Sequence, residues 1–230
     1  MKIVLLGPPG AGKGTQGIQL SKSLMIPQIS TGDMLRKSVR DGTALGKEVQ
    51  SIIRDGKLVP DELIISIIEE RIAQEDCGDG FILDGFPRTL EQAEALERVM
   101  PESVDVTVYL NVPTGEVIER LSERLTCREC GAVYPKQDIS ICPSCSGALY
   151  QREDDQRSTI EQRINVYMEH TAPLIEYYCK QNKLVEINGM GEAEPLRHFT
   201  TVTSTVYPDL FDHYDAEHQQ WCEECSRVED

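Results

Sequence analysis

The chain has 230 residues, and its 23 Lys and Arg residues against 39 Asp and Glu residues give a formal net charge of −16. The length suits one mid-sized α/β domain with insertions, and the acidity argues against a broad basic face for nucleic acid. No stretch approaches the roughly 18 apolar residues of a membrane span, and the first apolar run is too short for a signal peptide, so we expect a cytoplasmic protein.

The first part of the chain alternates between apolar runs that predict strands and amphipathic stretches that predict helices. Glycine, proline and aspartate mark the turns between them. In chain order, the predicted elements are a strand at Ile3–Leu6, a loop at Gly7–Gly14, a helix at Thr15–Leu24, an extended piece at Gln28–Ser30, helices at 31–40 and 43–54, and a helix that opens at Pro60-Asp61.

The second part continues this alternation, except that residues 126–150 show neither helix nor strand periodicity. Alternating strands and helices predict an α/β fold with a mostly parallel sheet covered by helices on both faces. In chain order, the predicted elements are strand Phe81–Leu83, helix Thr89–Met100, strand Val104–Leu110, helix Glu116–Leu125, helix Thr159–Gln181 with a kink at Pro173, strand Leu184–Ile187 and helix Ala193–Thr205.

The glycine-rich loop after the first strand is the strongest single motif. Residues Gly7–Thr15 read Gly-Pro-Pro-Gly-Ala-Gly-Lys-Gly-Thr, and they lie between a predicted strand and a predicted helix, as a phosphate-binding P-loop does. Glycines let successive N–H groups point inward, and the helix N-terminus adds positive partial charge. We therefore expect Lys13 to reach the β- and γ-phosphates of a nucleotide, rather than to belong to an ordinary Gly-Pro turn.

One position departs from the usual P-loop. A Ser or Thr normally follows the lysine and helps to hold Mg²⁺, whereas this chain has Gly14 there and Thr15 one residue later. We therefore expect the metal ion to be held differently from the way it is held in GTPases.

Several groups of arginine and aspartate follow. The segment Ser30–Arg36 combines a predicted helix start with an arginine, and Asp84–Thr89 follows a strand, where open α/β sheets bind ligands. Arg120 and Arg124 are four residues apart and are predicted to share one helix face. A single arginine is more often solvated, but several near predicted ligand-facing loops favour phosphate binding. The set is completed by Arg152, Asp154, Asp155 and Arg163.

Four cysteines in the segment without periodicity form two Cys-x-x-Cys pairs separated by 11 residues. Two such pairs can give four thiolates to a tetrahedral Zn²⁺, so we favour a structural metal site over redox thiols. Gly131 and Gly147 are expected to form the tight turns after the pairs. The first cysteine pair is Cys127 and Cys130, and the second cysteine pair is Cys142 and Cys145.

Five separated motifs give the chain a resemblance to the adenylate kinase family, in its long bacterial form with a metal-binding lid. The resemblance covers about residues 1–205, and the glycine after the P-loop lysine is typical of nucleoside monophosphate kinases. It implies a P-loop NTPase-type parallel sheet flanked by helices, with a helical AMP-binding insertion and a small metal-bound lid insertion. The motifs are Gly7–Thr15, Thr31–Arg36, Leu58–Glu62, Asp84–Arg88 and Arg152-x-Asp154-Asp155.

The resemblance also implies a division of the chain into a core, two insertions and a tail. The core would comprise residues 1–29, 60–118 and 159–206. The nucleoside monophosphate-binding subdomain would comprise residues 30–59, the lid residues 119–158, and an acidic C-terminal extension residues 207–230.

The reaction implied by the resemblance is Mg·ATP + AMP ⇌ 2 ADP. By matching position, Lys13 would hold the ATP phosphates and Asp84 would orient Mg²⁺ through water. The implied arginines are Arg120 and Arg124 at the base of the lid, Arg152 and Arg163 on the lid side, and Arg36 and Arg88 at the AMP phosphate. Asp154 and Asp155 are implied members of the same catalytic set.

The resemblance further implies a set of nucleotide-binding residues. Those of the P-loop, together with Lys13, are Pro9, Gly10, Ala11, Gly12, Gly14 and Thr15. Those for the adenine and ribose of AMP are Thr31, Gln92 and the backbone near Lys57, Leu58 and Val59. Gly85 and Gly191 complete the set.

The implied cofactors are Mg²⁺ with ATP, and a structural Zn²⁺ or another transition metal in a lid that is shorter than usual. The implied partners are ATP, AMP and ADP, with no nucleic acid and no membrane, and the implied state is a monomer. Two alternatives stay open, namely a kinase that uses UMP/CMP or GMP as acceptor and a non-catalytic P-loop regulator. Thr31 and the segment at 58–60 favour AMP over UMP, CMP or GMP as the acceptor. The complete arginine set favours an active kinase over a non-catalytic regulator.

The tail accounts for much of the acidity. Residues 209–230 hold eight acidic residues against Arg227 alone, a net charge of −7, which leaves −9 for the remainder. The favoured interpretation is an acidic, partly ordered extension; the alternative is a second metal site. The candidate ligands in the tail are His213, His218, Cys222 and Cys225.

Overall fold

The structure is a computed structural model that describes residues 1–100, 104–135 and 139–190. The strands are β1 (Lys2–Leu6), β2 (Gln28–Ser30), β3 (Phe81–Asp84), β4 (Val106–Asn111), β5 (Arg124–Cys127), β6 (Val133–Pro135), β7 (Leu149–Tyr150) and β8 (Leu184–Asn188). The helices are α1 (Lys13–Leu24), α2 (Thr31–Arg40), α3 (Ala44–Arg54), α4 (Asp61–Ile72), α5 (Leu90–Val99), α6 (Thr114–Ser122), α7 (Arg157–Val166) and α8 (Pro173–Lys180). The predicted helix at Ala193–Thr205 lies outside the described residues.

The larger sheet has the strand order β2-β3-β1-β4-β8, and every neighbouring pair in it is parallel. The central strand β1 pairs with β3 on one side, where Val4 is opposite Leu83, and with β4 on the other. Because the strands are parallel, the loops that follow β1 and β3 leave the same edge of the sheet. The Gly7–Gly14 loop therefore lies beside Asp84.

The core forms because β1 is buried on both faces. Ile3 and Leu5 belong to an apolar cluster that includes residues of α1, α6 and α7, whereas Val4 belongs to a second cluster with α4 and α5. Successive residues of a strand point to opposite faces, so an uninterrupted apolar strand needs helices on both sides. The predicted α/β fold is confirmed. Among the described residues, no helix combines the length and apolarity needed to cross a membrane.

Helices α2 and α3 pack closely against each other at Gly46. A Cβ at this position would lie 2.0 Å from the carbonyl oxygen of Ser38, so only glycine allows the backbones this approach. The hydroxyl of Ser30 caps α2, and that of Thr43 caps α3 by accepting a hydrogen bond from the Gly46 N–H at 3.0 Å. The Ser30 cap fixes where α2 begins, directly after the carboxyl end of β2, and the Thr43 cap fixes where α3 begins.

Residues 124–150 contain an antiparallel sheet in the order β6-β5-β7, where the sequence predicts no strand periodicity. The strands are only two to four residues long, too short to show alternation. The predicted helix Glu116–Leu125 ends at Ser122, and Arg124 is the first residue of β5. The prediction that Arg120 and Arg124 share a helix face is therefore wrong, because pairing with β6 takes the chain out of the helix.

The predicted long helix Thr159–Gln181 is present as α7, a π turn at Tyr167–Thr171 and α8. The N–H of Ala172 donates to the carbonyl of Tyr167 at 2.8 Å, which is the wider spacing of a π turn. Pro173 follows and has no N–H to donate. The structure therefore has a π turn that ends two residues before Pro173, and the kink at the proline itself stays a prediction.

Candidate active site

The loop between β1 and α1 is held by two glycines with left-handed backbone. Gly10 has φ 84° and Gly12 has φ 95°, values that strain other residues. Gly12 directly precedes α1, so the unpaired N–H groups of the first helical turn are available to an anion. A Cβ on Gly10 would lie 2.8 Å from Leu121, so this glycine also lets α6 pack against the loop.

Lys13 is half-buried and curls back onto the loop. Its Nζ donates hydrogen bonds to the carbonyl oxygens of Gly7 at 2.7 Å and Pro8 at 2.8 Å. Burial lowers the pKa of Lys13 to about 8, against the opposing effect of the Asp84 carboxylate. The ammonium is therefore a cation with little solvation of its own, which an anion would stabilise.

Asp84 ends β3 and is buried. Burial raises its pKa, and the charge of Lys13 opposes that rise. Its Oδ2 accepts a hydrogen bond from the neutral amide of Gln28 at 3.2 Å. A Cβ on Gly14 would lie 3.3 Å from the same oxygen. The glycine after the P-loop lysine therefore leaves room for this carboxylate, which gives a physical reason for the departure at Gly14.

Two arginines share one fully buried carboxylate. Arg124 donates to both oxygens of Asp155, at 2.8 Å and 2.5 Å, and Arg163 donates to Oδ1 at 3.0 Å. Arg163 also lies 3.0 Å from Oδ2 of Asp154. Burial raises the pKa of Asp154, but Arg163 and the neighbouring cations outweigh it and hold that pKa below its usual range. The aspartates thus hold two guanidinium groups close together despite their like charge.

Three further arginines lie nearby, and two of them, Arg88 and Arg152, are less fully neutralised. Arg36 pairs with Asp33 at 2.6 Å, the Nε of Arg88 donates to the Gly85 carbonyl at 2.8 Å, and the Nε of Arg152 donates to a threonine hydroxyl at 2.9 Å. Burial lowers the pKa of Arg88 to about 10, with Arg163 as the next cause. Burial likewise lowers the pKa of Arg152 to about 10, with Arg36 as the next cause. Such a group of cations favours binding of an anion.

Arg120 lies on α6 and is bound to acceptors of the protein. Its Nε donates to Glu116 at 2.7 Å, and its Nη2 donates to the Gly189 carbonyl at 2.9 Å. Although it does not share a helix face with Arg124, both side chains line the same cavity. The arginine therefore ties the loop after β8 to α6 at the cavity wall.

The residues predicted to recognise a second nucleotide surround a smaller space beside α2. The hydroxyl of Thr31 donates to the Gly85 carbonyl at 2.8 Å. The amide of Gln92 accepts from the Arg88 N–H at 2.7 Å and donates to Asp61 at 2.7 Å. Both side chains thus hold the loop that follows β3 in place.

Two cavities bring most of the predicted site residues together. The larger has a volume of about 870 Å³ and the smaller about 80 Å³. Predicted residues on the larger are Pro9, Gly10, Ala11, Gly12, Lys13, Gly14, Thr15, Arg36, Leu58, Asp84, Gly85, Arg88, Arg120, Arg124, Arg152 and Arg163. Those on the smaller are Thr31, Arg36, Lys57, Leu58, Val59, Gly85, Arg88, Gln92, Asp154 and Arg163. Gly191 lies outside the described residues.

Several residues of the site were not singled out from the sequence. Asp33 and Asp61 pair with Arg36 and Gln92, and both lie within motifs that the sequence did identify. Thr126 accepts from Arg152, and the hydroxyl of Thr171, in the π turn, donates to the Arg88 carbonyl at 2.8 Å. These two threonines belong to no motif, so only the fold reveals them.

The four predicted metal ligands lie together at one end of the small sheet. Their sulfur atoms are all within 4.8 Å of one another, with 3.5 Å between Cys127 and Cys145 and 3.6 Å between Cys130 and Cys142. Tetrahedral Zn²⁺ with bonds of about 2.3 Å requires sulfur atoms about 3.8 Å apart. The four thiols therefore fit such an ion.

The turns after the two cysteine pairs differ. Gly131 has φ 72°, as predicted for a tight turn, but in the second turn Ser146, with φ 59°, has the left-handed backbone. Gly147 is needed for another reason, because a Cβ there would lie 2.9 Å from the Cys127 sulfur. The candidate metal ligands of the tail (His213, His218, Cys222 and Cys225) lie outside the described residues.

Comparison with known proteins identifies close relatives. The family model described as Adenylate kinase matches residues 5–183. A protein named adenylate kinase from Archaeoglobus fulgidus is 50% identical over 203 residues, which cover 84% of this chain and 93% of the relative. Another from Alkaliphilus oremlandii is 48% identical over 218 residues, which cover 91% of this chain and 100% of the relative. One from Methanocella arvoryzae is 48% identical over 202 residues, 84% of this chain and 94% of the relative.

Proposed function

The chain belongs to the adenylate kinase family, and from this membership we propose which residues perform the reaction of the family. That reaction is the reversible transfer of a phosphoryl group from Mg·ATP to AMP, which gives two molecules of ADP. The observation that carries the proposal is that Arg36, Arg88 and Arg163 line both cavities. A phosphoryl group that passes between two nucleotides needs cations at their junction.

ATP would occupy the larger cavity. The N–H groups of residues 9–15 and the ammonium of Lys13 would bind its β- and γ-phosphates, and the low pKa of Lys13 supports this because burial leaves its charge in need of an anion. Arg120 would lie at the base of the lid, and it lines this cavity together with Glu116.

Arg124 and Arg152 of the lid, with Arg163 of the core, would hold the phosphoryl group during its transfer. Arg124 and Arg163 are oriented by Asp155, and Arg152 by Thr126. In the loose transition state of phosphoryl transfer, charge spreads over the equatorial oxygens, and forked guanidinium groups can grip two of them at once. Because these side chains are already held in place, little of the free energy of nucleotide binding is lost in ordering them.

AMP would bind at the smaller cavity, which has to widen because about 80 Å³ is too little for a nucleotide. Arg36 and Arg88 would bind its phosphate, and Thr31, Gln92 and the backbone of residues 57–59 would contact its adenine and ribose. An AMP phosphate oxygen attacks the γ-phosphorus of ATP, and the bond from that phosphorus to the bridging oxygen breaks. The attacking oxygen is already anionic, so no general base is required.

Mg²⁺ would enter with ATP and neutralise phosphate charge. Asp84 fits the role of orienting it through water, since its carboxylate lies beside the P-loop and accepts a hydrogen bond from a neutral amide. In the lid, the four sulfur atoms fit a structural Zn²⁺ or another transition metal. With four protein ligands, such a site has no open position for catalysis.

We also propose the division of the chain that the sequence indicates. Residues 30–59 would close over AMP and residues 119–158 over ATP, against a core of residues 1–29, 60–118 and 159–206. Closure would exclude water, which could otherwise accept the phosphoryl group. The 4.0 Å approach of Arg152 to Asp33 supports this closure, because it joins the two moving parts.

Residues 207–230 would be an acidic extension, and the protein would be a cytoplasmic monomer that binds neither nucleic acid nor membranes.

A coupled assay with AMP, UMP, CMP and GMP as acceptors tests the acceptor assignment. We expect AMP to be preferred strongly, with Thr31→Ala reducing that preference and Ser38→Ala, on the same helix, leaving it unchanged. Equal rates with UMP or CMP would favour the alternative acceptor, and no turnover with any acceptor would favour a nucleotide-binding regulator.

A further inference from the structure

Tyr134 connects two parts of the lid, strand β6 and the second cysteine pair. It lies on β6, opposite Leu125 of β5. Its hydroxyl oxygen is 3.4 Å from the sulfur of Cys142 and 2.8 Å from the hydroxyl oxygen of Ser144. Cys142 is a ligand in the second cysteine pair, whereas β6 directly follows the first pair. The tyrosine therefore joins β6 to a ligand that lies on a different part of the lid.

The direction of these hydrogen bonds follows from the chemistry of the donors. A thiolate bound to a metal ion carries no proton, so Tyr134 must donate to the Cys142 sulfur. A phenol has one proton, so its oxygen then accepts from Ser144. The resulting chain runs from Ser144 through Tyr134 to Cys142. A donor to a metal-bound thiolate belongs to the outer groups that orient metal ligands.

The same strand forms part of the wall of the larger cavity. Val133, Tyr134 and Pro135 line it together with Lys13 and Arg124. A nucleotide in that cavity would contact β6 and restrict its position. In the observed position of β6 the hydroxyl of Tyr134 reaches the Cys142 sulfur, so a nucleotide that restricts β6 to this position would favour the hydrogen bond.

We propose that Tyr134 is a positioning residue that couples nucleotide binding to retention of the lid metal. This rests on the proposed metal site and on the proposed ATP site. A bound nucleotide slows loss of the metal, because the hydrogen bond from Tyr134 holds the Cys142 sulfur in the position that completes the ligand set. Coupling of two binding free energies is reciprocal, so loss of the metal weakens nucleotide binding by the same factor.

Metal release measures the coupling directly. Protein loaded with Zn²⁺ is mixed with an excess of a chromogenic chelator, with and without a non-hydrolysable ATP analogue. A single hydrogen bond corresponds to a change of about two- to tenfold, so we expect the analogue to slow release by that factor in the unmodified chain. Tyr134→Phe removes only the hydroxyl, and we expect it to speed release and to abolish the protection.

Two further variants make the result specific. Tyr150→Phe is the matched control, because Tyr150 lies in the same small sheet, with its ring against Arg128 rather than against a sulfur atom. It should keep the protection in full. Ser144→Ala leaves the tyrosine in place and removes its hydrogen-bond donor, so it should lose part of the protection.

The outcomes separate this proposal from those on which it rests. If the unmodified chain binds one Zn²⁺ and the analogue, but Tyr134→Phe shows the same protection, the coupling role is overturned and both sites stand. If the chain binds no metal, the metal site and the coupling fall together. If it binds metal but not the analogue, the ATP site and the coupling fall.

Discussion

The guanidinium of Arg40 donates a hydrogen bond to the carbonyl oxygen of Arg128, at 2.9 Å. Arg40 is the last residue of α2, which belongs to the proposed AMP-binding part, whereas Arg128 lies between the ligands of the first cysteine pair. The guanidinium of Arg128 in turn lies 4.4 Å from the centre of the Tyr150 ring. The proposed AMP-binding part and the candidate metal site of the lid therefore meet directly.

Arg40→Ala is expected to shift the protein towards more open arrangements. The hydrogen bond is exposed, so we expect a two- to fivefold rise in KM for AMP and ATP, on the order of one modest hydrogen bond. Fluorescence energy transfer between labels on α3 and the lid would measure the shift. Lys37→Ala, an exposed position one turn earlier, serves as control; an equal shift in both variants would contradict a specific role.

Arg88→Met is expected to reduce kcat/KM for AMP by about 10²-fold or more, because an oriented charge at the phosphate is lost. The folded state should not be destabilised, since burial and Arg163 disfavour the charge of Arg88 in the absence of an anion. Steady-state kinetics and thermal melting measure the two effects. Arg157→Met, at an exposed position, is the control. Nearly unchanged turnover in Arg88→Met would contradict its assignment.

Nucleotide binding is expected to weaken above pH 8. Burial lowers the pKa of free Lys13 to about 8, and bound phosphates would raise it, so between these two values binding takes up a proton. Affinity should then fall by up to about tenfold per pH unit. The pH dependence of folding stability that comes from Lys13 has the opposite sign to that of nucleotide affinity. The unfolded chain protonates Lys13 more readily, so this residue's contribution to stability rises as pH increases from about 8 towards the usual lysine pKa of 10.5.

Calorimetry at pH 9 in two buffers of different ionisation enthalpy measures this proton uptake. Lys13→Arg should abolish it, because arginine stays protonated. Lys22→Met, which alters another lysine at the cavity, should retain it. Equal apparent enthalpies in both buffers for the unmodified chain would contradict the prediction.

Removal of the lid metal is expected to lower Tm by more than about 5 °C, because a structural metal site supplies much of the folding free energy of a small unit. Differential scanning calorimetry with and without chelator measures the effect. The double variant Cys77→Ala, Cys179→Ala should respond identically, since those buried thiols lie outside the cluster. A chelator that leaves Tm unchanged would argue against a structural metal.

Metal analysis is expected to find one ion per chain. The double variant Cys222→Ser, Cys225→Ser should keep this number, because the favoured interpretation gives the tail no metal. A lower count in that variant would show a second site. Cys142→Ser in the lid is the positive control and should reduce the count.

The fold and the cysteine cluster could be predicted because their signals are local in sequence. The apolar run at Ile3–Leu6 and the glycines after it define a strand and its loop, and the spacing of the two cysteine pairs defines a ligand set. Arg124 shows the limit. The spacing between Arg120 and Arg124 suits a helix, but pairing between β5 and β6 places Arg124 in a strand. Strands this short leave no periodic signal in the sequence.

The contacts that orient the site were harder to predict because they join distant residues. Thr126 meets Arg152, and Thr171 meets the Arg88 carbonyl, through packing that no local pattern encodes. The second cysteine pair makes the same point. Gly147 was expected to form a turn, whereas its small size matters because the Cys127 sulfur passes beside it.

Asp155 also has a consequence for inhibitor chemistry. The site supplies its own internal anion, which already accepts two hydrogen bonds from Arg124 and one from Arg163. This carboxylate offsets part of the positive charge of both guanidinium groups, so each added phosphate mimic brings less affinity than the two arginines alone would give. Compounds that pack against the cavity wall formed by Val133 and Tyr134 would depend less on Arg124 and Arg163. Such compounds could carry fewer negative charges, and they would therefore cross a membrane more readily.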